Sequence, residues 1–592
     1  MEDKVVPIII VGGGACGLSM SNFLSNYGVE HILFERREKT SGLPKAHYLN
    51  QRTMEIFRLQ GMPEVREMSC PPRHMSYATC VTSLGGQDEL DRKTIHRIAC
   101  FGGDDGSAKA QAYLNDSAER SGNVPQSRLE PLLRELAIQK RTSSLYFKHT
   151  VVDVVSQGDT VIVSVEDERG ILSRHRARYV VGADGGHLVG SKIGVSMTGL
   201  TGITEMVAVH FEADLSKYWD DRVFLCYFIN GNGGTVFESG AIVPHGPVWG
   251  KHCREWVFHF GFDLNDEARN QEAKLLPRIR ETLKIPNLEI KVKRISHWII
   301  ESVVAERYKV DNVFLAGDAA HRRPPNGGLG LNTSIEDAMN LSWKLAMVVK
   351  HGVDPKILDS YDSERRPIGR RNSDWGLFAF ENSAVINSAV GLIPGQKELN
   401  KARFRRLFEQ THVGEARRAQ VRKMIETQYV EFGAHGLELG FSYDGGLTVD
   451  DGSDKLVEDA LGQQYMPTTR PGHRLPHAWL ERDECILSTH DLVRGEAKLL
   501  LITDETGKDW IAAATRVSED LKIPLAVAQI GVSPYIRDYD NRWEALKELE
   551  LGGALLIRPD NFVVWRSKRS SKLKGNELED AVFALLGYDR KQ

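Results

Sequence analysis

Two glycine-rich turns, far apart in the chain, constrain its fold more than any other feature. The chain opens with PIIIVGGGACGLSMSNFL, which sets Gly12, Gly14 and Gly17 in a G-x-G-x-x-G frame. Much later it returns with DNVFLAGDAAHRRPPNGGLGLN, where a strand pattern ends at Gly317 and Asp318. One such turn is common. Two in one chain imply a single large ligand held at both ends.

The first turn reads as strand, turn and helix. Val6 to Val11 are branched and apolar, as in a strand buried on both faces. Gly12 permits the tight turn, Gly14 lets the backbone approach a pyrophosphate, and Gly17 lets the helix lie close to the strand. The helix start, with Ala15 and Cys16, presents free N–H groups to phosphate. A second strand, HILFER, ends at Glu35 and Arg36, where an acidic residue meets a ribose hydroxyl.

The second turn fits the other half of such a cofactor. Asp318 is placed to accept hydrogen bonds from a sugar-alcohol chain, and Pro324 and Pro325 stiffen the turn by fixing φ. Gly327, Gly328 and Gly330 let the backbone pass close to a flat ring. Thr333 and Glu336 have capping-box spacing, which predicts a helix from about Ser334 to Gly352. Its N-terminus favours the negative charge of a reduced flavin. The N–H groups of Leu331 and Asn332 are expected at the flavin ring.

These stretches, with the GADG run at Gly182–Gly185, KAHYLNQRTMEIFRLQG and NVPQSRLEPLLRELA, resemble the class A FAD-dependent aromatic monooxygenases of the para-hydroxybenzoate hydroxylase fold. The resemblance covers nearly the whole chain and points to the phenol hydroxylase and chlorophenol monooxygenase-like branch. It implies an α/β protein: a Rossmann-like FAD domain, an interleaved antiparallel-sheet substrate domain and a C-terminal thioredoxin-like domain. The implied division gives residues 1–75, 105–190 and 295–385 to FAD, and 76–104 and 191–294 to a substrate-covering sheet. Residues 386–445 form a helical linker and 446–592 the third unit. Cys485 stands alone there, so that unit is expected to be structural, at the contact of a homodimer.

Composition is consistent with this reading. The formal charge of −4 over 592 residues implies no general attraction to nucleic acid or membrane, and seven scattered cysteines without a C-x-x-C pair argue against a metal centre, a dithiol or a disulfide framework. The N-terminal strand leaves no room for a signal peptide, and the DRKQ end matches no lipidation tail. A cytoplasmic protein is expected. RRAQVRKMIETQYV is basic, but a solvated helix explains it better than nucleic-acid binding.

The implied chemistry is hydroxylation of an electron-rich arene with O₂ and NAD(P)H through a flavin C4a-hydroperoxide; the sequence does not choose between NADH and NADPH. A free phenol has a pKa near ~10, so the site needs a base and a dry cavity. His47 falls where relatives carry Asp or His at the substrate hydroxyl and is the candidate base; the rival reading has it orienting Arg52 or the flavin ring. By resemblance Pro325 lies at the flavin ring, Gln126 at the ribityl–pyrophosphate region, and Arg52 at the flavin or a domain junction. Lys45 stands where Arg is usual, keeping the charge and losing the bidentate fork. Asp184 and Gly185 should position FAD, although the run continues as GHLVGSK without the Arg common in relatives. Tyr227, Phe228, His210, Trp256 and Phe258 lie in the expected cover sheet, and none is singled out as a ligand. A phenol or hydroxybenzoate leads, with an aromatic polyketide as the alternative.

Other classes fit less well. A flavin halogenase should carry W-x-W-x-I-P and a flavin disulfide reductase C-x₄-C, and neither occurs. A non-catalytic binding protein on this fold has little use for Asp318 and the ring turn.

Overall fold

The computed structural model describes residues 5–103, 106–229, 239–393, 395–531 and 536–587, without the side chain of Asn270. The sequence predicts cover-sheet strands in RVFLCYFIN (222–230) and GTVFESGAIV (234–243); residue 230 of the first, residues 234–238 of the second and the DRKQ end lie outside the described residues. Strand Val6–Val11 sits between His31–Glu35 and Leu172–Gly182, and Val313–Leu315 adds beyond the latter, all parallel. Ile8, Ile9 and Ile10 are fully buried, as a strand covered on both faces requires. Helices Ala15–Asn26 and Leu329–His351 pack against each other beside this sheet.

The register brings the three sequence fingerprints to one place. Val11 lies opposite Gly182, and Gly182 opposite Leu315, so three adjacent parallel strands end level. The turns at Gly12, Ala183–Gly185 and Gly317 therefore emerge together at the carboxyl edge of the sheet, where ligands of open α/β sheets bind.

A second eight-stranded sheet stands beside this domain. Met197–Glu212 pairs antiparallel with both Glu255–Phe262 and Lys291–Ala305, so this sheet runs past residue 294, where the sequence places the return to the cofactor fold. It is not wholly antiparallel either. Val223–Phe228 pairs in parallel with Tyr77–Val81, because the 77–99 hairpin joins by a long crossover rather than a tight turn. Helix Glu272–Leu283 covers one face, packing Leu275, Ile279 and Leu283 on Phe228, Trp256, Phe258 and Phe260.

The segment after the long helix Ser360–Asn382 is helical, through Lys397–Phe408 and His412–Ile425 to the short helices Tyr429–Phe432 and His435–Leu439. Val421 and Ile425 of the basic stretch pack into a core with Cys80 and Ile98, while its arginines stay largely outside. The C-terminal unit centres on a four-stranded sheet, with Leu499–Thr503 parallel to Leu525–Gln529 and antiparallel to Ala554–Ile557. None of the seven cysteines is disulfide-bonded, and Cys485 is exposed. No helix among the described residues is long and apolar enough to cross a membrane.

Burial lowers the pKa of several histidines, to about 4 for His31, His473 and His490 and about 2 for His477. They are neutral in the folded chain, whereas the unfolded chain binds protons below about 6.5. Stability from these groups is complete above pH about 6.5 and is lost as pH falls through about 4. Urea midpoints should drop steadily over that interval. A flat midpoint there would refute the neutral assignment.

Candidate active site

The two glycine turns touch. A Cβ on Gly317 would lie 3.0 Å from Cys16 Cβ and 3.2 Å from Ser334 Oγ, and Cys16 Sγ donates to Ser334 O at 3.3 Å. Residues 12–17 and 317–334 thus border one space. At Gly12 φ is +110°, and an added Cβ would sit 2.3 Å from Ala183 O; at Gly17 it would sit 2.0 Å from Gly12 O. At Gly14 it would meet nothing nearer than Glu130 Oε1 at 3.8 Å. Two glycines let the chain pack on itself, and the third leaves open room over the turn, the cradle a pyrophosphate needs.

Glu35 braces that cradle: Oε2 accepts from Gly13 N at 2.7 Å and Oε1 from Arg37 N at 2.8 Å. Glu130, absent from the sequence-derived candidates, is as central. It accepts from Ala15 N, Ser41 N and Gln126 Nε2 at 3.2, 3.0 and 2.6 Å. Its i+4 spacing from Gln126 on helix Gln126–Ile138 was the only signal in the sequence. Lys45 is exposed, and Arg36 meets His187 Nε2 at 3.2 Å, so both stand at the rim. Asp184 is turned to its own loop, accepting from Gly186 N, Leu188 N and Val189 N, with Gly185 at φ +73°. Asp318 is exposed at the mouth.

The ring turn differs from the expectation at its helix. Leu329–His351 starts five residues before Ser334, straight from Gly328 at φ +64°. Thr333 and Glu336 form no capping box. Thr333 Oγ1 donates to Leu329 O at 2.8 Å, and Glu336 accepts from Arg365 at 3.1 Å. The left-handed glycine turn starts the helix without a side-chain cap. Gly330 and Leu331 therefore occupy its first turn, and a Cβ on Gly330 would meet no protein atom within 4 Å. Gly328 serves packing: its Cβ would lie 2.6 Å from Tyr48 Cδ1. Asn332 accepts from Asn50 N at 3.0 Å and donates to Tyr48 O at 3.1 Å, fixing the strand that follows His47. Pro325 is exposed and leads into the turn.

Arg52 is turned toward the C-terminal unit. Its guanidinium is buried, donating to Asp560 O at 2.5 Å and pairing with Glu55 at 3.3 Å. Helix Gln51–Leu59 directs it to the C-terminal unit, so of the two expected positions it takes the junction.

The pleat sorts the cover-sheet residues. Tyr227, Ala241, His259 and Ala208 lie opposite one another on four successive strands and share a face. Phe228, Trp256 and Phe258 point the other way, under the covering helix. His47, Tyr227 and His259 are deep in the molecule yet each is only partly buried. His47 Nδ1 lies 3.2 Å from Asn123 Oδ1 and its ring 5.2 Å from that of Phe224. Burial pulls His47 down to about 4, and burial together with His47 pulls His259 to about 3. Sequence reasoning missed His259, because facing depends on register.

Residues 5–376 match the family described as FAD binding domain, and 468–588 the aromatic-ring hydroxylase C-terminal family. The chain is 33% identical to a 2,4-dichlorophenol 6-monooxygenase of Delftia acidovorans, over 98% of each chain. It is 31% identical to a phenol 2-monooxygenase of Pseudomonas sp. (strain EST1001), over 95% of this chain and 90% of that one. It also superposes on the flavin-dependent monooxygenase PieE, solved with FAD and substrate, with a TM-score of 0.92, 33% identity and full coverage of both chains.

Proposed function

We propose, from the premise that this chain belongs to the FAD-dependent aromatic-ring hydroxylases, that its arene is a phenol and that His47 takes the phenolic proton. Membership makes it a flavin monooxygenase that uses NAD(P)H as reductant and acts on an aromatic ring. The phenolic substrate is supported by the names of the relatives and by the placing of His47 beside the sheet face that carries His259 and Tyr227. Bound FAD supplies the activation of O₂.

The chain's own residues have separate tasks in this reading. The turns at Gly12–Gly17 and Gly317–Leu331 hold the two ends of FAD, with Glu35, Glu130 and Gln126 shaping the first and Asp318 at its mouth. Lys45 and Arg36 offer positive charge at the rim. The cover sheet excludes water, which strengthens polar contacts to the bound arene. His47 is unprotonated above about 4, which leaves its ring free to receive a proton in the neutral range, while the same burial makes it a weaker base than a free imidazole. Asn123 fixes its ring. A homodimer in the cytoplasm, with the C-terminal unit structural, completes the proposal.

His47→Ala should lower arene-dependent product formation roughly 100-fold, within the usual range for losing a general base, with FAD still bound. The parent's acid limb should fall near pH 4 rather than 6.5. The assay is a panel of phenols, hydroxybenzoates and one fused hydroxyarene, scored by stimulated NAD(P)H oxidation and product mass. Unchanged rate, coupling and pH profile in the variant would remove His47 as base. Turnover of the fused arene alone would replace the phenol reading.

A further inference from the structure

The helical linker reaches the same face of the cover sheet. Helix Tyr429–Phe432 carries Glu431, which lies deep in the molecule yet is only partly buried, as His47 and Tyr227 are. Tyr227 OH lies 3.4 and 3.3 Å from its two oxygens, and Asn326 Nδ2 lies 3.3 Å from Oε1. The N–H of Gly327 also donates to it. One carboxyl thus touches the cover sheet and the cofactor turn at once. Two strand spacings separate Tyr227 from His259 in their shared row, roughly 10 Å. The small Ala241 lies between them. Glu431 therefore stands at the Tyr227 end of that row, away from His259.

We propose that Glu431 is a positioning residue of the hydroxylation: its carboxyl, accepting from Tyr227, Asn326 and Gly327, pins the cover sheet and the ring turn together around the arene. This rests on the function proposed above. Burial raises the Glu431 carboxyl to about 7, outweighing the hydrogen bonds from Asn326, Tyr227 and Gly327. The titratable groups facing it are Tyr227 from the sheet and the thiols of Cys80 and Cys100 from the 77–99 hairpin and its end. Burial raises all three, so they stay uncharged where Glu431 titrates. All three contacts donate to the carboxyl, so its ionised form holds Tyr227 and the turn more tightly than its acid form does.

The test compares the FAD-loaded parent with Glu431→Ala and Glu431→Gln between pH 6 and 9. Two quantities are read: product formed per NAD(P)H oxidised, and the infrared carboxylic-acid C=O band without substrate. The parent should gain coupling as pH rises through about 7, as the carboxyl ionises and grips its three donors more tightly. E431Q, unable to ionise, should show no such rise, and E431A should be uncoupled at least tenfold at every pH while still oxidising NAD(P)H. The parent-minus-E431Q difference spectrum should carry the band below about 7 and lose it above, the acid band of Glu438, which burial raises to about 8, cancelling between the two. Parent-like coupling and pH profile in E431A, or a band unaltered in E431Q, overturns the proposal. A parent that no arene stimulates refutes the phenol reading instead, and the band then decides whether Glu431 holds its proton at the turn.

Discussion

Gly12→Ala should yield colourless protein. Gly12 stands at φ +110°, a region that costs a side-chain-bearing residue about 1–3 kcal/mol. Its new Cβ would also lie 2.3 Å from Ala183 O and 2.7 Å from Ala183 C. These are backbone atoms of the adjacent turn, so relief requires the Gly12 turn and the Ala183–Gly185 turn to move apart. The displaced atoms are those that shape the cradle, and Gly13 N would leave its 2.7 Å bond to Glu35. A weakening of FAD binding by about 100-fold or more follows, with the sheet itself intact. Titration of the apoprotein with FAD, followed by flavin fluorescence, measures it. Circular dichroism separates lost binding from lost folding. Gly17→Ala should behave alike, because its Cβ would sit 2.0 Å from Gly12 O. A yellow G12A protein with parental affinity would show that FAD does not lie over this turn.

Glu364→Ala should be the most destabilising single change away from the cofactor. Glu364 is fully buried on helix Ser360–Asn382 and accepts from Arg558 at 2.7 and 2.8 Å, Lys344 at 2.7 Å, Asn340 at 2.8 Å and Leu447 N at 3.1 Å. Burial alone would raise its pKa, but Arg558 and Lys344 prevail and hold it well below the usual carboxylate range. Arg558 comes from the C-terminal unit and Lys344 from the ring-turn helix, so this carboxylate joins three parts of the chain. Its removal leaves two buried cations facing each other, with Asp560 as the remaining partner of Arg558. Such losses cost about 3–5 kcal/mol. Urea unfolding should show that drop in E364A, and a smaller one in E364Q, which keeps the shape and part of the hydrogen bonding. A change under about 1 kcal/mol in E364A, typical of surface sites, would refute the assignment. Arg52 and Arg474 meet Glu55 in a second junction of this kind, so the C-terminal unit is locked to the cofactor domain.

Much of the fold was legible because its signals are local. A buried parallel strand announces itself as VPIIIV or FLAG, and a turn that must take positive φ announces itself as glycine. Gly12 and Gly317 were found in that way. The helix start was misread because the Thr333–Glu336 spacing is a weak local signal, and the positive-φ Gly328 starts the helix earlier. Arg52 lay beyond local reasoning, since its partner Asp560 comes from the far end of the chain. Glu130 and Glu431 were missed for the same reason: a lone carboxyl has no meaning until distant backbone is folded onto it.

The sequence by itself determined the pieces: three turns at strand ends, a covering set of strands, a linker of helices and an α/β end unit without a redox pair. Only the tertiary structure decided that the turns emerge level at one sheet edge, that Tyr227 and His259 share one face of their sheet while Phe258 packs under the covering helix on the other, and that Glu431 meets Tyr227. Backbone conformation is set by a residue and its neighbours along the chain. Facing, burial and protonation are set by strand register and by groups hundreds of positions away.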